Sequence, residues 1–146
     1  MTIAKFCPNL RKLSVGFKGN ELETLKMVFN SCQNLESIKI WCGGNFLSEN
    51  EALEIFVKYS PKNIHELILY HMYYVQQSEL LLPEELESFF VSWTNHIPLS
   101  LVIVKDNSDI LSTNDKYMIV IEKYIELGII KKFKVTDYDD EVYGLV

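Results

Sequence analysis

Cysteine, histidine and the carboxylates are the side chains that could do chemistry here, and their spacing decides which chemistry is open. Cysteines stand at Cys7, Cys32 and Cys42. A zinc centre needs ligands in close pairs such as C-x-x-C, and no such pair occurs. Cys32 and Cys42 flank one expected strand, whose length holds them too far apart for a disulfide. Cys7 and Cys32 are expected where a turn packs on a sheet, as small buried hydrophobes. The histidines, His65, His71 and His96, show neither H-E-x-x-H nor H-x-x-x-H spacing. No G-x-S-x-G elbow accompanies them, so they read as surface or turn residues. Gly16-Phe17-Lys18-Gly19-Asn20 precedes a helix but lacks the residue order that wraps a phosphate, and reads as a turn. Cys42-Gly43-Gly44-Asn45 reads as a second turn. Asp137-Tyr138-Asp139-Asp140 lacks the glycine and terminal glutamate of a calcium loop. The sequence thus predicts no catalytic residue, no metal ligand and no cofactor.

Binding, rather than catalysis, becomes visible in the elements that recur along the chain. Cys7-Pro8-Asn9-Leu10-Arg11-Lys12-Leu13-Ser14-Val15 is followed by Cys32-Gln33-Asn34-Leu35-Glu36-Ser37-Ile38-Lys39-Ile40. Ser60-Pro61-Lys62-Asn63-Ile64-His65-Glu66-Leu67-Ile68-Leu69 repeats the pattern of Asn, then apolar-x-x-apolar-x-apolar. Two weaker copies run from Thr94 to Leu101, with His96 in the first apolar place, and from Gly128 to Val135. The copies begin near 7, 32, 60, 93 and 127, a spacing that belongs to stacked repeat units. Each ends in a short alternating stretch, the pattern of a half-buried strand.

Helical segments fill the intervals. Leu22, Leu25, Val28 and Phe29 share one face of the first. Ser48-Glu49-Asn50-Glu51 is a capping-box sequence before Leu53, Phe56 and Val57. Pro83 opens the third helix, whose stripe is Leu86, Phe89, Phe90 and Trp93. The fourth runs from about Asn114 to Leu127, with Tyr117, Val120, Ile121, Tyr124 and Ile125 toward the core and Gly128 as its stop.

Strand and helix therefore alternate through a single α/β domain, residues 1–146, of about four to five irregular repeats. The expected architecture is a solenoid with parallel strands on its concave face and helices on its convex face. A small α/β enzyme with a wound parallel sheet is the alternative, with a pocket at the strand ends near His71, Asp106 or Asp109. Alternating strands favour the solenoid, because the strands of a wound sheet are apolar on both faces.

The residues that then carry function are the outward strand positions. Read across the five strands they form three rows: Lys12, Ser37, Glu66, Pro98 and Lys132; Ser14, Lys39, Ile68, Ser100 and Lys134; Gly16, Trp41, Tyr70, Val102 and Thr136. Lys39, Trp41, Glu66, Ile68 and Tyr70 are the expected protein-binding residues, since large aromatics on an open surface serve as anchors. The competing expectation is that Met72-Tyr73-Tyr74-Val75 folds over them.

Cys32-x-x-Leu35-x-x-Ile38-x-Ile40-x-Cys42 resembles the cysteine-containing leucine-rich repeat, and Cys7-Pro8-Asn9-Leu10-x-x-Leu13 repeats its opening. This class is typical of F-box/leucine-rich-repeat proteins, and the irregular, aromatic and Asn-rich style is similar to the large fungal F-box-like families. The resemblance covers residues 7–70 well and 94–136 poorly. It implies a non-catalytic substrate-recognition part of a ubiquitin-ligase receptor, with a protein partner on the concave face. The family's F-box, which docks the ligase adaptor, has no room before Cys7. Adaptor binding is therefore expected only with an F-box upstream, and a truncated solenoid fragment is the further alternative.

Charge and composition narrow the partners. Net charge is −6. Residues 1–62 hold 8 basic and 6 acidic residues, and residues 63–146 hold 6 and 14. An acidic half argues against general nucleic-acid binding, which needs clustered cations. The last stretch, with Asp137, Asp139, Asp140 and Glu141, reads as a solvated acidic tail. No apolar run has the length of a membrane span and no signal peptide opens the sequence. The expected location is cytoplasmic or nuclear, with no membrane partner.

Overall fold

The computed structural model describes residues 9–18, 20–42, 46–71, 82–105 and 115–136. Nine elements alternate along them: β1 (Lys12–Gly16), α1 (Leu22–Ser31), β2 (Ser37–Cys42), α2 (Glu49–Tyr59), β3 (Glu66–His71), α3 (Pro83–Ser92), β4 (Leu99–Lys105), α4 (Asp115–Glu126) and β5 (Ile130–Thr136). The strands form one sheet in the order β1-β2-β3-β4-β5, and every neighbouring pair is parallel. Each connection steps one strand sideways and never reverses direction across the sheet.

Alternation along the strands produces a two-layer molecule. Leu13, Ile38, Leu67, Leu101 and Phe133 stand in register, as do Val15, Ile40, Leu69, Ile103 and Val135. These ten residues pack in or against one hydrophobic core, and the central ones are fully buried. The helices supply the other half of that core, and each packs against the next, α1 on α2, α2 on α3 and α3 on α4. Leu25, Val28 and Phe29 are buried on α1, and Leu86, Phe89 and Phe90 on α3, as their spacing predicts. On α4, Tyr117, Ile121 and Tyr124 are buried and Val120 is half-buried, but Ile125 is 40% exposed and does not join the core. It lies on the flank of the last helix, where no further helix follows among the described residues.

Aromatic rings link the helices in sequence. Phe29 meets Phe56 edge-on at 6.0 Å, and Phe56 stacks on Trp93 at 4.9 Å. Phe90 then meets Tyr124 at 5.4 Å. Such pairs add roughly 0.5–1.5 kcal/mol beyond the area they bury.

The helix ends follow the sequence closely. Ser48 Oγ accepts a hydrogen bond from the Glu51 amide at 3.1 Å, and Glu51 Oε1 accepts one from the Ser48 amide at 3.3 Å. Both halves of the capping box are thus made. Pro83 is the first residue of α3. Gly128, at φ +80°, ends α4 in the left-handed region that glycine alone enters freely.

The turns that start β2 and β3 repeat as well. The Arg11 carbonyl accepts from the amides of Glu36 and Ser37, and the Glu36 carbonyl accepts from those of His65 and Glu66. Asn34 donates its side-chain amide to Asn9 Oδ1 at 3.3 Å, so the Asn of the repeated pattern bonds to its equivalent in the preceding copy.

The fourth copy departs from the expected alignment. Glu66 pairs with Ser100, Ile68 with Val102 and Tyr70 with Val104. The outward rows on β4 are therefore Ser100, Val102 and Val104, in place of Pro98, Ser100 and Val102. The turn before β4 takes up the extra two residues. His96 N bonds to the Trp93 carbonyl, and the Trp93 indole donates to the Ile97 carbonyl at 2.8 Å. A two-residue slip preserves which residues face inward, so alternation alone does not reveal it.

Candidate functional site

The sheet face turned away from the helices carries three rows of five residues. In order from β1 to β5 they are Lys12, Ser37, Glu66, Ser100 and Lys132; Ser14, Lys39, Ile68, Val102 and Lys134; Gly16, Trp41, Tyr70, Val104 and Thr136. All five residues expected to bind protein lie on it. Trp41 and Tyr70 are register partners, as are Lys39 and Ile68, and Glu66 starts the same strand as Ile68 and Tyr70.

Trp41 is the exposed member, at 40%. Its ring lies 6.0 Å from that of Tyr70, tilted by 48°. Lys39 Nζ stands 4.9 Å over the Tyr70 ring, within reach of a cation–π attraction. Ile68, Tyr70, Lys39 and Glu66 are half-buried. Glu66 Oε1 accepts a hydrogen bond from Ser37 Oγ at 2.6 Å, which fixes the carboxylate across the first row.

Phe46 is a member of this cluster that the sequence reading did not name. It follows β2 and forms an isolated antiparallel bridge with Lys18, while the next amide, Leu47 N, bonds to the Phe17 carbonyl at 3.0 Å. These bonds fold the segment back over the end of β1. The Phe46 ring meets Trp41 edge-on at 6.2 Å. It also lies against Gly16, where a Cβ would stand 2.7 Å from the ring. A glycine inside a strand marks close approach of a neighbour, and Gly16 beside Trp41 was the signal for this contact.

The third row closes toward β5. Val104 is fully buried and Thr136 is 6% exposed, although both face away from the helices. The open part of the face is thus the Trp41 end of the third row together with the first two rows, apart from Ser37, which is as buried as Thr136. The insertion Met72–Val75, expected as the competing cover for Trp41, lies outside the described residues. So do Cys7, Asp106, Asp109, Gly43, Gly44 and the acidic stretch from Asp137 to Glu141, as well as the side chain of His71.

The residues weighed for chemistry sit elsewhere and apart. Cys32 and Cys42 are buried in the core and form no disulfide. Burial, and after it the nearby Glu49 charge, holds the Cys42 thiol well above its ordinary pKa. His65 lies on the turn before β3 with Nε2 3.8 Å from Glu36. His96 stacks on Trp93 at 4.0 Å, and loss of solvent lowers its pKa. Among the described residues no three His, Cys, Asp or Glu side chains converge as metal ligands would. No described helix is long and apolar enough to cross a membrane. Open grooves mark the described surface, one beside Ile97 and Ile125 and a smaller one between α2 and α3 beside Glu54, Lys58 and Glu85.

Comparison of the chain with protein-family models, with curated proteins and with solved structures finds no match.

Proposed function

We propose that this chain is a non-catalytic protein-interaction module, a leucine-rich-repeat-like solenoid that docks a partner on the open face of its sheet. One observation carries the reading. A parallel sheet with helices packed on one layer leaves its other face uncovered at Trp41, and Lys39, Glu66, Ile68 and Tyr70 surround that residue. Exposed tryptophan among half-buried neighbours is the arrangement in which one side chain carries much of a binding energy.

The sequential strand order supports the same reading over a wound enzyme sheet. A wound sheet reverses direction at a switch point, and the crevice there holds its ligand. The order β1 to β5 has no reversal. The recurring turn bonds at Arg11 and Glu36 and the Asn9–Asn34 bond support a repeat built from equivalent units.

The resemblance to F-box/leucine-rich-repeat receptors suggests that the docked partner is a ubiquitin-ligase substrate. Two measurements test the two levels separately. Affinity capture with the folded chain, followed by quantification of the captured protein, tests docking. Trp41→Ala should weaken capture by about 2 kcal/mol while the circular dichroism spectrum is retained. Unchanged capture by the folded variant removes Trp41 from the interface. A pull-down of ligase adaptor and cullin, with this chain and with any longer upstream reading frame, tests the receptor role. Failure of every form to retain the adaptor removes that role and leaves docking untouched.

A further inference from the structure

We propose that the open sheet face takes an acidic peptide segment, an aliphatic or aromatic anchor flanked by carboxylates, laid across the strands. The proposal rests on the docking reading above and adds the chemistry of the partner. It follows from how the fold sorts charge. The chain carries −6 overall, and its four described helices hold ten carboxylates and four lysines. The open face is the reverse. Its fifteen positions include Lys12, Lys39, Lys132 and Lys134 against the single carboxylate of Glu66, which is already bonded to Ser37.

Position sharpens the argument. Lys12 lies on β1 and Lys39 on β2, at one flank, and Lys132 and Lys134 lie on β5 at the other. Lys12, Lys132 and Lys134 are exposed. Between the flanks stand Ile68 and Val102, half-buried, with Trp41 on β2 in the adjoining row. At about 4.8 Å per strand the two cationic flanks are separated by roughly 14–19 Å. A segment of that span is about ten residues of helix or about five of extended chain. Burial of Val104 and Thr136 closes the far corner of the third row, so the segment crosses over the first two rows.

Single-stranded nucleic acid is the other polyanion that an aromatic, lysine-flanked sheet could hold. Two features favour peptide. The centre of the face is aliphatic, where bases need aromatic planes to stack on, and Lys39 already covers the Tyr70 ring.

The test is to pan a random decapeptide display library against the folded full chain, and to measure the enriched peptides and a fluorescent ten-nucleotide dT strand by anisotropy. The expected result is enrichment of Asp and Glu on both sides of an aliphatic or aromatic residue. Affinity should fall with added salt and drop about tenfold in the Lys132→Glu/Lys134→Glu chain. Lys12→Glu, on the opposite flank, should weaken the same peptides, and Lys58→Glu, on the helical layer, should not. Circular dichroism confirms that each variant is folded. Enriched peptides that are neutral or basic, or that bind the charge-reversed chain equally well, overturn the proposal. If such peptides still depend on Trp41, the docking reading survives and only the charge chemistry falls. If no peptide is enriched, both fall. Tighter binding of the dT strand than of any peptide overturns the peptide in favour of nucleic acid.

Discussion

Gly16 leaves the space that the Phe46 ring occupies, and Phe46 in turn supports the edge of Trp41. A methyl group at Gly16 must push the ring aside, because a Cβ there would come within 2.7 Å of it. Gly16→Ala should therefore uncover Trp41, seen as a red shift of its fluorescence, at a stability cost of about 1 kcal/mol. An emission spectrum identical to that of the parent would show that Phe46 does not shield Trp41. His96 offers a second residue-scale test. Lost hydration favours its neutral form in the folded chain, so its folded pKa lies below its unfolded one. The stability this ring contributes is then held above the usual histidine value, about 6.5, and is lost as pH falls through the lower folded value. In a Trp41→Phe background, Trp93 is the sole indole and reports on the stacked imidazole directly. Its emission should drop on acidification with a midpoint below about 6.5. A midpoint at or above that value contradicts the assignment.

At the scale of the element, α2 and α3 differ in how they begin. Ser48 and Glu51 complete a reciprocal cap on α2. On α3, Glu85 Oε1 accepts from the Leu82 amide at 2.9 Å, but leucine has no oxygen to return the bond. Removing the serine hydroxyl in Ser48→Ala should cost about 1 kcal/mol in urea-induced unfolding. Leu82→Ser should gain a few tenths to about 1 kcal/mol, since Leu82 is 55% exposed and already extended, at φ −83° and ψ 154°. Opposite signs for the two substitutions check the capping account. A loss at both positions would mean that the Leu82 side chain contributes packing that its exposure does not reveal.

For the molecule as a whole, stability rests on contacts between neighbours in sequence. Among the described residues each strand pairs with its sequence neighbours, and helices pack on adjacent helices. Phe56 is the side chain that crosses this arrangement most fully, touching Phe29 on α1 and both Phe89 and Trp93 around α3. It is fully buried. Phe56→Ala should cost about 3–5 kcal/mol and lower the thermal midpoint of the whole domain. A smaller cost confined to the first units, read by amide exchange, would show that the aromatic chain does not couple the two ends.

The inward residues were determined by the sequence. Alternation at period two placed Leu13, Ile38 and Leu67 in one layer, and helical spacing placed Leu25, Phe29, Leu86 and Phe90 opposite them. Such patterns report burial, and burial is local to each element. The candidate face was legible where the repeat is regular, at Lys39, Trp41, Glu66, Ile68 and Tyr70. It was misread at β4, where the turn after Trp93 adds two residues without changing the parity of the strand. Phe46 was missed because its contacts with Gly16 and Trp41 depend on a loop folding back, which no periodicity encodes. The lysines of one row, Lys12 with Lys132 and Lys39 with Lys134, were legible in the repeat. The aliphatic centre between them was decided by the tertiary structure, because hydrogen-bonded register sets Val102, in place of Ser100, between Ile68 and Lys134.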